Sequence, residues 1–329
     1  MTLIIEKKIS CTYSKVMVTE SLYSLALYVF INKYKTSDTL FIIGNRTNIH
    51  EVKNKLSNYI VYDSFLAKPK NSFENFLLSN NCLFGRYKEI REYINTNKID
   101  QFYGHDHLSI SSMFYKQNMI IIEDGLSNYI SPHNIGRIKL NIKKLLNIPI
   151  YDKGYDPKTK KIYLTGISQV PLILKNKVLI INRECFVKKL SSMLDGVFSG
   201  NISLDTHCTL LITQPISEDG YMSEVDKIEI YKKYSNTNLK LIIKPHPREL
   251  TNYKFYFPDA IVIGNEILVE SLFENKNIVD FRTLFSSSLI DYNFSRFVTV
   301  HILGTELDSR LLKNFGLIPE EIISYPNCY

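Results

Sequence analysis

Short, mostly apolar runs that stop abruptly at polar turns limit what this chain can become. Thr39–Ile43 (TLFII), Met119–Ile122 (MIII), Thr209–Thr213 (TLLIT) and Leu239–Ile243 (LKLII) are the clearest of them. Each is too short for a buried helix and lacks the strict alternation of a strand with one wet face, so strands covered on both faces are predicted. Tyr59–Tyr62, Gln101–Tyr103, Ala260–Ile263, Asn277–Asp280 and Phe297–Ile302 read as further strands. Between them lie stretches with helical spacing: Lys15–Lys33, Glu51–Leu56, Glu74–Ser79, Arg86–Thr96, Leu108–Lys116, Glu224–Tyr234 and Leu268–Asn275. Strand–helix alternation of this kind predicts an α/β fold, with parallel sheets and helices on both faces.

A chain of 329 residues is long for one core, so two domains are expected. The loop-forming triplet Ser199-Gly200-Asn201 suits a linker, giving Rossmann-like domains over 1–201 and 202–329 that face a central cleft. The segment 131–201 shows no clean alternation. Hydrophobic residues at 45% and charged residues at 22% exclude a disordered chain. Forty Lys and Arg against 33 Asp and Glu leave +7, too weak a bias to argue nucleic-acid binding. The five cysteines are odd in number and form no CxxC pair, which argues against a disulfide framework and a structural zinc site. The N-terminus holds no signal-peptide core, and no apolar run reaches membrane-spanning length. A cytoplasmic protein is expected, soluble or peripheral at the inner face of the cell membrane.

In open α/β sheets ligands bind beyond the carboxyl ends of the strands, so the residues there matter most. Glu123-Asp124-Gly125 follows Ile120–Ile122 and suits hydroxyl recognition or proton transfer, or is a polar strand cap. Lys244-Pro245-His246-Pro247-Arg248 follows Leu239–Ile243. The two prolines restrict the backbone around His246, and Lys244 and Arg248 make the loop cationic, as a phosphate site requires; a rigid basic loop with a solvent-facing histidine is the plainer reading. Gln214–Gly220 adds a second acidic cluster, Glu218 and Asp219, after Thr209–Thr213. Phe285-Ser286-Ser287-Ser288 can offer hydroxyl and amide donors to a phosphate, or serve as an ordinary helix cap. No GxxxxGK[ST], GxGxxG or Asp-x-Asp occurs, which argues against P-loop and dinucleotide chemistry and against a metal-bound nucleotide. His105-Asp106-His107 is the one histidine-rich spot; with no further ligand cluster beside it in the sequence, no metal site is expected.

The order Glu123-Asp124-Gly125, then His246-Pro247, then Ser286-Ser287 resembles that of bacterial sialyltransferases, most closely glycosyltransferase family 52, the lipooligosaccharide sialyltransferases. The resemblance implies the GT-B arrangement of two Rossmann-like domains. It also implies inverting, metal-independent transfer of sialic acid from CMP-N-acetylneuraminate (CMP-Neu5Ac) to a terminal galactose of a lipooligosaccharide or capsule, in α-2,3 linkage. No cofactor beyond the donor is implied. His246 matches the histidine that assists the departing CMP phosphate, within a donor loop that includes Lys244 and Pro247. Ser286 and Ser287 match phosphate-binding serines, and Glu266 an acidic residue near the nucleotide ribose. The base is expected on Ser217–Asp219, at Asp219 with Glu218 in reserve. Asp124 then becomes an acceptor-side element, although in a neighbouring sialyltransferase family the equivalent aspartate is the base. Family resemblance also suggests a homodimer through 131–201. Arg137–Lys161 holds eight basic and two acidic residues, a solvated face or a patch for anionic membrane. Two other readings stand beside this one: a GT-B glycosyltransferase with another nucleotide-sugar donor, and a non-catalytic basic module that binds glycan or nucleic acid.

Overall fold

The computed structural model describes residues 3–45, 50–71, 74, 76, 87–117, 119–130, 137–145, 150–199, 202–289 and 292–326. The chain forms two compact units, Met1–Phe186 and Val187–Tyr329. They divide ahead of the Ser199–Asn201 loop, and Asn201 itself lies outside the described residues. Aromatic contacts explain the position: Phe186 meets Tyr23 and Phe30 edge-on, with ring centres 5.6 and 5.5 Å away. Phe198, by contrast, accepts a hydrogen bond from the Leu268 amide at 3.0 Å and so belongs with the second unit.

The N-terminal unit holds β1 (Ile4–Ile9), β2 (Lys15–Thr19), β3 (Thr39–Gly44), β4 (Asn58–Tyr62), β5 (Gln101–Gly104), β6 (Ile120–Ile122), β7 (Lys161–Leu164) and β8 (Val178–Ile180). They form one sheet in the order β1-β4-β3-β2-β5-β6-β7-β8. Only β1 runs antiparallel, on the edge beside β4; the other neighbours are parallel. Strand order therefore reverses between β2 and β5, as in the Rossmann fold. The central strands bury Val16, Val18, Leu40, Ile42, Ile60, Ile121 and Ile162 in one core, consistent with strands covered on both faces.

The stretch Lys15–Lys33 is not one helix. Its first residues form β2, the central strand at the reversal, and the helix spans Leu22–Ile31 with Ser21 as its N-cap. Val16 and Val18 are β-branched and fit a pleated strand better than a helix, and the Ser21 side chain accepts the Ser24 amide to start the helix. The segment 131–201 also contributes regular structure, because β7 and β8 extend the N-terminal sheet and a helix spans Arg137–Leu145. The helix expected at Leu268–Asn275 shrinks to the 3₁₀ turn Val269–Leu272, and that at Leu108–Lys116 is the 3₁₀ stretch Ser109–Gln117. Most of Glu74–Ser79 lies outside the described residues.

The C-terminal unit holds β9 (Cys208–Ile212), β10 (Lys240–Lys244), β11 (Ile261–Val262), β12 (Ile278–Thr283), β13 (Val298–Ile302) and β14 (Glu321–Tyr325). Their order is β11-β10-β9-β12-β13-β14, with β14 antiparallel on the edge. The reversal falls between β9 and β12, so this unit too has Rossmann order. The helix Glu224–Ser235, capped by Ser223, packs Ile228 and Tyr231 onto Leu211 and Ile243. No helix among the described residues is long and apolar enough to cross a membrane.

Candidate functional site

Because β9, β10, β11 and β12 are parallel, the segments that follow them lie along one edge of the C-terminal sheet, two of them flanking the reversal. That edge gathers the loop Thr213–Gly220 after β9, the loop Pro245–Glu249 after β10, Glu266 after β11 and Ser286–Ser288 after β12. Most of the residues singled out in the sequence therefore share one edge of this unit's sheet.

His246 opens a tight turn in which the Glu249 amide donates to its carbonyl at 2.9 Å, with Pro247 at the position where proline favours such turns. Its Nδ1 accepts the Arg248 amide at 3.2 Å. The ring proton therefore sits on Nε2, which is left to donate. Burial lowers the His246 pKa to about 4, helped by Arg248 and Lys244, so the imidazole is neutral at physiological pH. Lys244 is buried, and its ammonium donates to the Pro245 carbonyl at 2.9 Å. Burial holds it down to about 8 against the opposing pull of Glu270, Glu266 and Glu249. A desolvated ammonium and an oriented imidazole N–H on neighbouring residues are the kinds of donor that a phosphate oxygen takes. Ser286 and Ser288, both buried, share a hydroxyl–hydroxyl contact of 2.7 Å, and the Ser286 amide donates to Thr283 Oγ1 at 3.1 Å. Ser287 stands half-buried between them.

The two acidic residues of the β9 loop occupy different surroundings. Asp219 takes both guanidinium nitrogens of Arg248 at 2.5 and 3.0 Å, and that arginine side chain is 58% exposed. Glu218 receives Lys227 Nζ at 2.9 and 3.1 Å, the Leu250 amide at 3.0 Å and the Thr251 hydroxyl at 3.1 Å. Burial would raise its pKa, but the Leu250 amide and Lys227 outweigh that and bring it to about 2. A carboxylate so fully engaged is a poor proton acceptor and a good brace.

The brace centres on two residues that the sequence did not single out. Lys227 is fully buried and also reaches Glu249 Oε1 at 3.2 Å and the Thr251 hydroxyl at 2.7 Å. Glu249, buried too, accepts the His246 amide at 2.6 Å and the hydroxyls of Thr213 and Tyr253 at 2.5 Å each. This network ties the helix Glu224–Ser235 to the loops after β9 and β10 and holds the His246 backbone in place. The one available clue was Lys227 itself, a charge on the face shared by Ile228 and Tyr231. Lys227→Met should cost about 3–5 kcal/mol, because it leaves buried carboxylates without their cation. Chemical denaturation checks this, and a loss below about 1 kcal/mol would mean that the hydroxyls alone support Glu249.

In the N-terminal unit the structure splits the Glu123-Asp124 pair, since successive side chains leave a strand end on opposite sides. Glu123 is fully buried and accepts the hydroxyls of Tyr129, Thr165 and Tyr23 at 2.7, 2.8 and 3.1 Å, together with the Thr165 amide. Gly125, at φ 95°, takes the left-handed turn that follows. Asp124 points instead to the end of β5, where its Oδ2 lies 3.4 Å from His107 Nε2 and 3.6 Å from His105 Nδ1. Burial raises the Asp124 pKa, and His107 works against it. The histidine pair therefore does have a third ligand-type neighbour, 17 or more residues away in sequence and brought in by pairing of β5 with β6.

Two Rossmann-ordered sheets, the C-terminal one carrying a basic loop with an oriented histidine after β10, define the class as α/β. A family model for glycosyltransferase family 52 matches residues 35–307, and the chain belongs to that family; it is a glycosyltransferase. It is also 36% identical over 237 residues to an uncharacterized protein of Haemophilus influenzae, covering 67% of this chain and 73% of the relative. Among solved structures, the UDP-GlcNAc 2-epimerase of Methanocaldococcus jannaschii is similar at 12% identity and TM-score 0.41, covering 83% of this chain and 79% of that one. The glycosyltransferase SnogD of Streptomyces nogalater is similar at 10% identity and TM-score 0.41, over 85% and 78% of the two chains. The spinosyn rhamnosyltransferase SpnG follows at 8% identity and TM-score 0.45, over 83% and 76%.

Proposed function

We propose that this glycosyltransferase is an inverting sialyltransferase. It moves sialic acid from CMP-Neu5Ac to a terminal galactose of a surface glycan, a lipooligosaccharide or capsule, in α-2,3 linkage and without a divalent metal at the donor phosphate. The observation that carries the reading is His246: neutral, oriented by the Arg248 amide through Nδ1, left with Nε2–H to donate, and two residues from the buried Lys244. As the glycosidic bond to CMP breaks, negative charge builds on the phosphate. A fixed N–H and a desolvated ammonium stabilise that charge where it forms. Ser286 and Ser287 would hold the phosphate oxygens and Glu266 the ribose. Asp219 would take the acceptor proton, the incoming hydroxyl replacing one guanidinium N–H of Arg248. Asp124 would serve the acceptor side. Peripheral membrane contact through 137–161 and dimerisation through 131–201 belong to the same proposal.

Incubation with CMP-Neu5Ac and lactose, without added magnesium or manganese, tests it. Sialyllactose should form, with the 2,3 linkage read by NMR. Tight binding of UDP and none of CMP in calorimetry would instead point to another nucleotide-sugar donor.

A further inference from the structure

At the reversal of the N-terminal sheet, three metal-ligand side chains meet on the carboxyl ends of β5 and β6. His105 and His107 follow β5, and Asp124 follows β6. One ligand atom from each lies within 4.8 Å of the other two. Two of the separations, 3.4 and 3.6 Å, run from Asp124 Oδ2 to one nitrogen on each ring. Ligands about 2.0–2.2 Å from a tetrahedral zinc stand about 3.3–3.5 Å apart, so this spacing is close to that of a formed site.

A second observation is independent of the spacing. His105 is 1% exposed, and neither ring nitrogen has a hydrogen-bond partner. A buried polar atom left this way costs about 1–3 kcal/mol, and buried histidines ordinarily find a donor or acceptor. An unpartnered buried imidazole 3.6 Å from a carboxylate is a group that a metal ion would satisfy. The side chains of His107 and Asp124 are 31% and 25% exposed, which leaves the spot open to solution on one side. The two rings stack nearly parallel, with centres 5.3 Å apart.

We infer that His105, His107 and Asp124 form a zinc-type transition-metal site in the N-terminal unit, with a fourth position open to solvent. Two imidazoles with one carboxylate favour zinc and its late first-row neighbours over magnesium or calcium, which prefer oxygen ligands. Such an ion would clamp the ends of β5 and β6 together beside the sheet reversal. Zinc binding here and CMP binding by the C-terminal unit are separate measurements, so either can fail alone.

The test uses the full chain, stripped with chelator and dialysed, then titrated with zinc chloride in a calorimeter. A single saturable site should appear for zinc, with magnesium and calcium giving no heat, and cobalt should develop the visible bands of tetrahedral coordination. His107→Ala and Asp124→Asn should each weaken zinc by at least ~100-fold, the upper end of what loss of a mere outer-shell partner costs. Both side chains are partly exposed and should leave the circular dichroism unchanged, which guards against a folding failure such as the buried His105 could suffer. His207→Ala, a change at an exposed histidine elsewhere, is the control. No zinc site in the wild type overturns the assignment. So does affinity that survives both ligand variants, or that falls equally with His207→Ala.

Discussion

Replacing His246 with alanine should lower kcat by ~10²–10³, the scale for loss of one fixed hydrogen-bond donor to developing negative charge, while the protein stays folded. The fold is expected to survive because the bond from the residue 246 amide to Glu249 is made by the backbone, and the alanine variant keeps it. The side chain itself gives up one contact of 3.2 Å with the Arg248 amide, worth about 1 kcal/mol. On the proposed mechanism, what disappears is the Nε2–H that would meet the leaving phosphate, and with it the stabilisation of charge that would grow as the bond to CMP breaks. CMP affinity should fall far less than turnover, because Lys244 and the serine segment remain. Steady-state kinetics with CMP-Neu5Ac and calorimetry with CMP separate the two. A folded variant with near wild-type turnover would remove His246 from the mechanism.

Asp219→Asn should depress kcat comparably, by ~10²–10⁴, and leave CMP affinity within a few-fold. On the proposed mechanism the carboxylate would be needed only as the acceptor oxygen bonds to the anomeric carbon, so its loss should fall on the chemical step. Its ion pair with Arg248 is exposed on the arginine side and worth at most about 1 kcal/mol, so stability should change little. Asp124→Asn should act through acceptor KM. If Asp124→Asn abolishes kcat and Asp219→Asn does not, the base lies in the N-terminal unit and the assignment is inverted. Glu218 offers no third choice in this geometry, since Lys227, the Leu250 amide and Thr251 already occupy it.

The α/β class, most of the strands and the cationic His-Pro loop were legible in the sequence because each rests on local chemistry. An apolar run of four or five residues can scarcely be anything but a buried strand when polar turns stop it on both sides. Prolines at 245 and 247 restrict the backbone whatever surrounds them. Residues after parallel strands share an edge by geometry, so His246, Asp219 and Ser286 could be expected together before any coordinates. Lys15–Thr19 was misread because β2 runs almost directly into a helix, and the joined pattern mimics a longer helical period. β7 and β8 were passed over because strands of three or four residues carry too few positions to show one.

Tertiary structure alone decided which partner each charge meets. Glu218 and Asp219 are neighbours in the chain, yet a buried lysine from the helix Glu224–Ser235 claims the first and an exposed arginine the second. Glu123 and Asp124 are likewise adjacent, and the end of β6 sends one into a ring of hydroxyls and the other to two histidines. Lys227 with Glu249, and Asp124 with His105, are pairs far apart in sequence that only strand order brings together. A sequence states what each side chain can do; burial, which strips water from a charge, and strand pairing, which selects its neighbours, determine what it does.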